Sequence, residues 1–430
     1  MKKITIMAVC AAVLWATACN NNASNPDDNN DPLPLESIAV TPASLKVTAG
    51  QTASLTAVPA PENVDPAEKP FAWASNNTGV ATVSNGLVRG VYPGAATITV
   101  SGRLNDNIRT VVPVTVSAAT YQNPVIGQSL PDPTIIKASN GWFYVYATED
   151  TPNVPIYRSQ NLVDWWYAGA CFTSSTRPPW PDDPNAGIWA PDVNYINGKY
   201  VLYFSRSTWG GVSKCGIGVA TANDPGGPFT NHGKLFNSAE IGVQNSIDPF
   251  YIEDEGKKYL VWGSYGAGAG IHITELNDDG LSVKDMHHVT KIAGTHFEGG
   301  YIHKRGKYYY LFASTGTCCE GANSTYALVV GRSENLFGPY IDKDSDPLLS
   351  TAYNWAWVIQ KNDHFVGPGH CSEIVTDDAG NDWILYHGYV KGKEDAGRQL
   401  LMSQIIWEND WPSVAGGSPA VKADAPVFKD

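Results

Sequence analysis

Five aromatic runs recur in the carboxy-terminal part of this 430-residue chain, and they restrict its fold more than any other feature. They are Gly141–Thr148, Gly198–Ser205, Gly256–Ser264, Gly306–Ser314 and Asn381–Gly388, with starts 57, 58, 50 and 75 residues apart. Each reads as a strand, and a period near fifty residues holds about four strands. Five such repeats predict an all-β chain in which residues 121–430 form a five-bladed β-propeller. No long amphipathic helix interrupts them.

A polar residue stands ahead of each run: Asp132, Asp192, Asp248, Glu298 and His370, at offsets of 9, 6, 8, 8 and 11 residues. Equivalent positions of a propeller lie at one height on successive blades, so these side chains are expected to converge near the axis. Pro or Gly adjoins each one, which favours a turn or bulge and a close backbone approach. A single acidic residue in a turn is usually a cap or turn former. Four carboxylates and a histidine in phase differ, because like charges at one mouth cost energy unless their protonation is tuned. The set suits glycoside hydrolysis with inversion. One carboxylate deprotonates water, a protonated acid serves the leaving oxygen, and the two stand about 6.5–9.5 Å apart. A third carboxylate near the acid would raise its pKa.

The amino terminus reads as an address. Lys2 and Lys3 precede the apolar stretch Ile4–Ala18, which is too short to span a bilayer. It ends at Ala16-Thr-Ala-Cys19, which resembles a bacterial lipobox; cleavage as an ordinary secretory peptide is the alternative. Residues 1–18 are thus expected to be a lipoprotein signal peptide, Cys19 the lipidation site, and residues 19–35, rich in Asn, Asp and Pro, a flexible tether. The expected address is the outer membrane, facing outward or the periplasm. Residues 36–118 show short alternating Thr/Val/Ala strands between turn signals, a β-sandwich pattern. Within them Trp73–Asn77, Val80–Ser84 and Gly94–Ile98 resemble the group 2 bacterial Ig-like domain, a spacer or weak adhesion module.

Hydrophobic residues make up 43% of the chain, enough for real cores, and a net charge of −13 without a basic stripe argues against a nucleic-acid partner. Fourteen Trp and 21 Tyr suit sugar stacking, although core packing is their commoner use. Beyond Cys10 and Cys19 there are five cysteines, Cys171, Cys215, Cys318, Cys319 and Cys371. The odd count leaves at least one thiol free or paired between chains. Cys318-Cys319 can be read as a vicinal ring or as two reduced, buried thiols, and the spacings do not form a zinc site.

From Tyr121 to about Val414 the motifs Pro-Asp132-Pro, Trp-Ala-Pro-Asp192, Ile-Asp248-Pro, Glu298-Gly-Gly-Tyr and Gly-Pro-Gly-His370 resemble glycoside hydrolase family 43. Gly316–Tyr326, Val330–Ser333 and Phe337–Tyr340 are the most similar to its endo-α-1,5-L-arabinanases. The resemblance implies a five-bladed propeller and an inverting hydrolase, with Asp132 as general base, Glu298 as general acid and Asp248 as modulator of Glu298. It also implies a calcium or similar ion near His370, held largely through waters. It assigns Asp192 no main catalytic role. Trp189, Trp209, Phe297 and Asn245, beside these motifs, are candidates for sugar contacts. Gly299-Gly300 and Cys371 depart from the family's usual residues and bear on the shape of the cleft. The expected partner is an arabinose-containing plant cell-wall polysaccharide, bound by a membrane-anchored monomer. An exo-acting arabinofuranosidase or β-xylosidase, or a non-catalytic glycan-binding lipoprotein, are the rival readings. Loops 171–187 and 342–366 are where endo and exo action would be decided.

Overall fold

A computed structural model describes residues 32–350 and 356–428; the stretch read as a signal peptide, Cys10, Cys19 and the stretch read as a tether up to residue 31 lie outside them. The chain falls into two units. In the amino-terminal one, Ser37–Thr41 pairs antiparallel with Thr56–Ala60, and Ala72–Ser75 with Gly94–Ser101. Alternation along Gly94–Ser101 turns Ala96, Ile98 and Val100 inward. Leu35, Ile38, Val64 and Val100 form its core, with Phe71 and Trp73 packed against them. Folded chain begins inside the stretch read as tether: the Leu33 main chain bridges Val64, and the Leu35 side chain is buried with Ile38 and Val64.

The second unit is the propeller. Each aromatic run forms the second strand of an antiparallel blade with four main strands, to which blade five adds two short ones, Val375–Thr376 and Trp411–Val414. Blade one runs Thr134–Lys137, Phe143–Tyr146, Pro155–Ser159, Trp166–Ala170. Blade two runs Gly187–Ile196, Lys199–Ser207, Gly216–Ala222, Thr230–Asn237. Blade three is Phe250–Asp254, Lys257–Trp262, His272–Glu275, Val289–Lys291; blade four is Glu298–Arg305, Tyr308–Thr315, Ala327–Ser333, Ala356–Ile359. Blade five takes Phe365–Cys371, Asp382–Val390 and Gln399–Glu408 from the end of the chain and Ile126–Ser129 from the start of the domain. Gly141, Gly198, Gly256 and Gly306, which open four of the runs, all have positive φ (85°, 84°, 76° and 61°), as tight hairpins between first and second strands require.

Apolar side chains fill the seams all the way round. Tyr146 and Ile156 meet Leu202 and Phe204 between blades one and two. Tyr203 and Val219 meet Leu260 and Trp262 between two and three. A continuous core joins Val261 and Ile273 to Leu311 and Phe312, and these to Ile384 and Tyr386, across blades three, four and five. Leu385 and Met402 then meet Phe143 and Val145 of blade one. Each second strand is therefore covered on both faces, which is why the runs are unbroken apolar stretches rather than alternating ones. Closure is sealed by main-chain pairing of Ile126 with Leu400, while the Asn123 side chain both accepts from the Met402 N–H and donates to its carbonyl (both 2.8 Å).

Candidate active site

Positive φ recurs at or just before the first strand of every blade, at Asp132 (54°), Ala190 (39°), Asp248 (61°), Gly299 (57°) and His370 (46°), with Gly367 (61°) a second such residue in blade five. The ladder slips beside three of them, between Trp189 and Asp192, Glu298 and Tyr301, and Gly369 and Cys371. Such bulges re-aim side chains, and strained backbone of this kind persists only where its surroundings hold it.

A repeated hydrogen bond does the holding. The residue near the end of one blade's aromatic run accepts the N–H of the next blade's positive-φ residue. Ala190 donates to Thr148 Oγ1 (2.7 Å), Asp248 to Ser205 Oγ (2.8 Å), His370 to Ser314 Oγ (2.8 Å) and Asp132 to His387 Nδ1 (3.0 Å). The pattern breaks at blade four. There the Gly299 N–H donates to Asp248 Oδ2 (3.2 Å), and Ser264 instead donates to Glu298 Oε2 (2.7 Å).

This register sorts the sequence candidates. Asp132, Asp248 and His370 are equivalent; Glu298 lies one residue before its blade's positive-φ position, where Trp189 lies in blade two. All five face a cavity of ≈ 240 Å³, which Trp209 and Asn245 also line. The Trp189 and Trp209 rings meet at 5.3 Å, and Trp209 is 77% exposed. Two expectations are corrected. Asp192 falls two residues past its blade's positive-φ position and is buried beneath the cavity. There it accepts from the Tyr251 N–H (2.7 Å) and faces Glu373. Phe297 does not reach the cavity: successive strand side chains point to opposite faces, so with Glu298 turned in, Phe297 packs in the core.

The cavity's carboxyls live in opposite surroundings. Burial would raise Asp132, but the Arg398 guanidinium above all outweighs it and the carboxyl is held well below the ordinary range. Asp132 Oδ1 lies 3.1 Å from Arg398 Nη1, and Oδ2 accepts from Thr148 (2.6 Å). His387, pushed down to about 4 by burial, is neutral and accepts through Nδ1, which puts its proton on the buried Nε2. Asp248 is raised well above its ordinary value by burial and then by the charges of Glu298 and Asp132. Glu298 is raised by burial despite its bonds to Ser264 and Tyr326 (2.7 Å each). Both carboxyls are thus shifted towards their protonated forms, the opposite direction from Asp132.

His370 lines the cavity with its Nδ1 3.3 Å from Asp132 Oδ1. Among the described residues no three His, Cys, Asp or Glu side chains assemble into a metal-binding group. The ion implied by the resemblance is one held largely through waters, with His370 as its protein ligand, and no step below passes through it.

The sequence profile of Glycosyl hydrolases family 43 matches residues 121–412, and that of the bacterial Ig-like domain (group 2) residues 34–108. The chain belongs to glycosyl hydrolase family 43. Similar proteins include an extracellular exo-alpha-(1->5)-L-arabinofuranosidase of Cellvibrio japonicus, 31% identical over 66% of this chain and 85% of that one. An extracellular endo-alpha-(1->5)-L-arabinanase of Bacillus subtilis is also 31% identical, over 66% and 87%. The solved alpha-L-arabinanase of Cellvibrio cellulosa in complex with arabinohexaose superposes with a TM-score of 0.60 at 29% identity, covering 67% of this chain and 96% of that one. The family 43 domain is a glycosidase.

Several side chains of this glycosidase site escaped the sequence reading. Arg398 and His387 come from the chain's last blade and carry no motif. Tyr326 follows a loop whose other end holds a disulfide, Cys318–Cys319, while Cys171, Cys215 and Cys371 are free and buried. The hydroxyls that end the runs, Thr148, Ser205, Ser264 and Ser314, did carry a signal: one at the same place in four repeats.

Proposed function

We propose that this chain is an inverting hydrolase that cleaves α-1,5-linked arabinan within its length. The observation that carries the reading is one carboxyl with a lowered pKa beside Arg398 and two with raised pKa on the same cavity. Asp132, held ionised by Arg398, takes a proton from the attacking water. Glu298, fixed by Ser264 and Tyr326, gives its proton to the departing glycosidic oxygen. Water oxygen bonds to the anomeric carbon as that oxygen leaves, so the configuration inverts. Asp248, raised in common with Glu298 and held by the Gly299 N–H, keeps the proton of Glu298 in place until transfer; afterwards Asp132 releases the water's proton to solvent and Glu298 takes one back from it, which restores the site. Arabinan is supported by the relatives, whose names place them on α-1,5-linked arabinose. Internal cleavage is supported by the loops: among the described residues, none of 171–187 or 342–366 lines the cavity.

The test is a product profile on linear α-1,5-arabinan. A spread of oligosaccharides with early viscosity loss is expected. Release of arabinose alone would move the reading to the exo mode of the Cellvibrio japonicus relative, and hydrolysis of xylan alone would overturn the substrate. We also propose a lipid on Cys19; its Ser variant should lose labelled fatty acid and leave the membrane fraction, and retention of the label would sink it.

A further inference from the structure

We propose that the Cys318–Cys319 disulfide is a sugar-contacting face of the cleft, against which the arabinofuranose on the leaving side of the scissile bond stacks; this deepens the arabinan reading and depends on it. Among the described residues, blade four gives the cavity Glu298, Cys318 and Cys319 and nothing else. The acid's proton goes to the oxygen of the departing sugar, so that sugar lies against blade four, where the disulfide is the surface it meets.

The chemistry fits. A disulfide is polarisable, uncharged and only a weak hydrogen-bond acceptor, so it favours the C–H face of a furanose over its hydroxyls. Both cysteines are half-buried, with the remainder of their surface open. Trp189 and Trp209 of blade two supply apolar surface elsewhere on the cavity.

The face is also fixed. The Thr325 and Tyr326 N–H groups both donate to the Thr317 carbonyl (3.1 Å), Thr317 N–H donates to Thr325 Oγ1 (3.0 Å), and Glu320 N–H to Ser324 Oγ (2.9 Å). Gly316 has φ 90°, and a Cβ there would come within 2.6 Å of the Thr325 carbonyl oxygen, so the loop closes only with glycine. The same loop ends at Tyr326, whose hydroxyl holds Glu298. One rigid turn therefore presents both the proton donor and the surface for the group it protonates.

The experiment compares the full chain with its Cys318→Ala/Cys319→Ala double variant, after matching thermal midpoints. Substrates are linear α-1,5-arabinotetraose and an aryl arabinofuranoside or arabinotrioside, whichever the parent turns over. The expected result is a KM for the tetraose raised about tenfold with kcat within about twofold, and aryl-substrate constants within about twofold, because an aryl leaving group does not need a sugar face. An unchanged KM overturns the proposal. So does an equal loss on both substrates, which would mean that the loop only positions Glu298. If the double variant does not fold, a water-soluble phosphine added to the folded parent reads the same quantity: phosphine and water yield two thiols and phosphine oxide, and the free, buried Cys171, Cys215 and Cys371 hold no bond to reduce. A parent inactive on every arabinoside overturns the substrate reading and the sugar face together, whereas unchanged constants in an active parent overturn the face alone.

Discussion

The two sides of the cleft bury their carboxyls to the same degree, with Asp132 9% exposed and Asp248 and Glu298 7% each, yet their pKa values move in opposite directions. Burial pushes all three up. On the Asp132 side the Arg398 guanidinium leads the reversal of that push; on the other side the charge beside Asp248 is another carboxylate, which adds to it. Counter-charge, not depth, decides which carboxyl is lowered and which are raised. A third buried pair shows that perturbation alone does not mark a site. Asp192 and Glu373 are both raised by burial, but they serve the backbone of blades one and three beneath the cavity.

The contrast can be broken from either side. Glu298→Gln and Asp132→Asn should each lower kcat/KM on arabinan by about 10²–10⁴-fold with binding retained, read by steady-state kinetics and by titration with oligosaccharide. A variant of either kind with near-parental turnover would remove that residue from its role.

Arg398→Met attacks the reversal itself. Stability should fall by about 3–5 kcal/mol in denaturant titration, since the removal leaves a buried carboxylate unpaired. Asp132 is depressed in the parent, so its stabilisation is present above the unfolded carboxyl pKa and is lost as pH falls through the folded one. Without Arg398 the folded value rises, and the acid limb of the kcat/KM profile should move to higher pH; an unmoved limb would show that Arg398 does not set the base.

Tyr326→Phe and Ser264→Ala act on the other side. Each removes a donor that lowers Glu298, so the alkaline limb should move up, with about 1 kcal/mol of stability lost. Asp192→Asn should change least, leaving kcat/KM within about twofold. Asp192 is raised in the fold, so the parent loses stability as pH rises above the unfolded value, and the variant's stability relative to the parent should improve from acid to neutral pH.

How far the sequence reached follows from these particulars. The five runs became five second strands because a blade between two neighbours buries both faces, and continuous hydrophobicity of that kind is visible in a single sequence. Pro and Gly beside Asp132, Asp248, Glu298 and His370 did mark a strained backbone. Counting offsets failed by two residues at Asp192, because a bulge adds residues to a strand without changing its composition. It failed at Phe297 because proximity along a strand is not proximity in space: its neighbour faces the cavity, so it cannot. Arg398 was out of reach because its partner is 266 residues away and only ring closure joins them.

That closure has a consequence for how the enzyme comes into being. The strand that completes blade five, Ile126–Ser129, is among the first parts of the domain to be made, and Arg398 follows near the end, its carbonyl accepting from the Leu130 N–H at the seam (2.8 Å). During synthesis, then, blade one must wait, holding Asp132 in a half-made protein without the cation that ionises it. Ring-spanning contacts of this separation are slow to form. Catalytic competence therefore arrives in one late event, with the docking of the two ends, and an incomplete chain is not a weak hydrolase but an unarmed one.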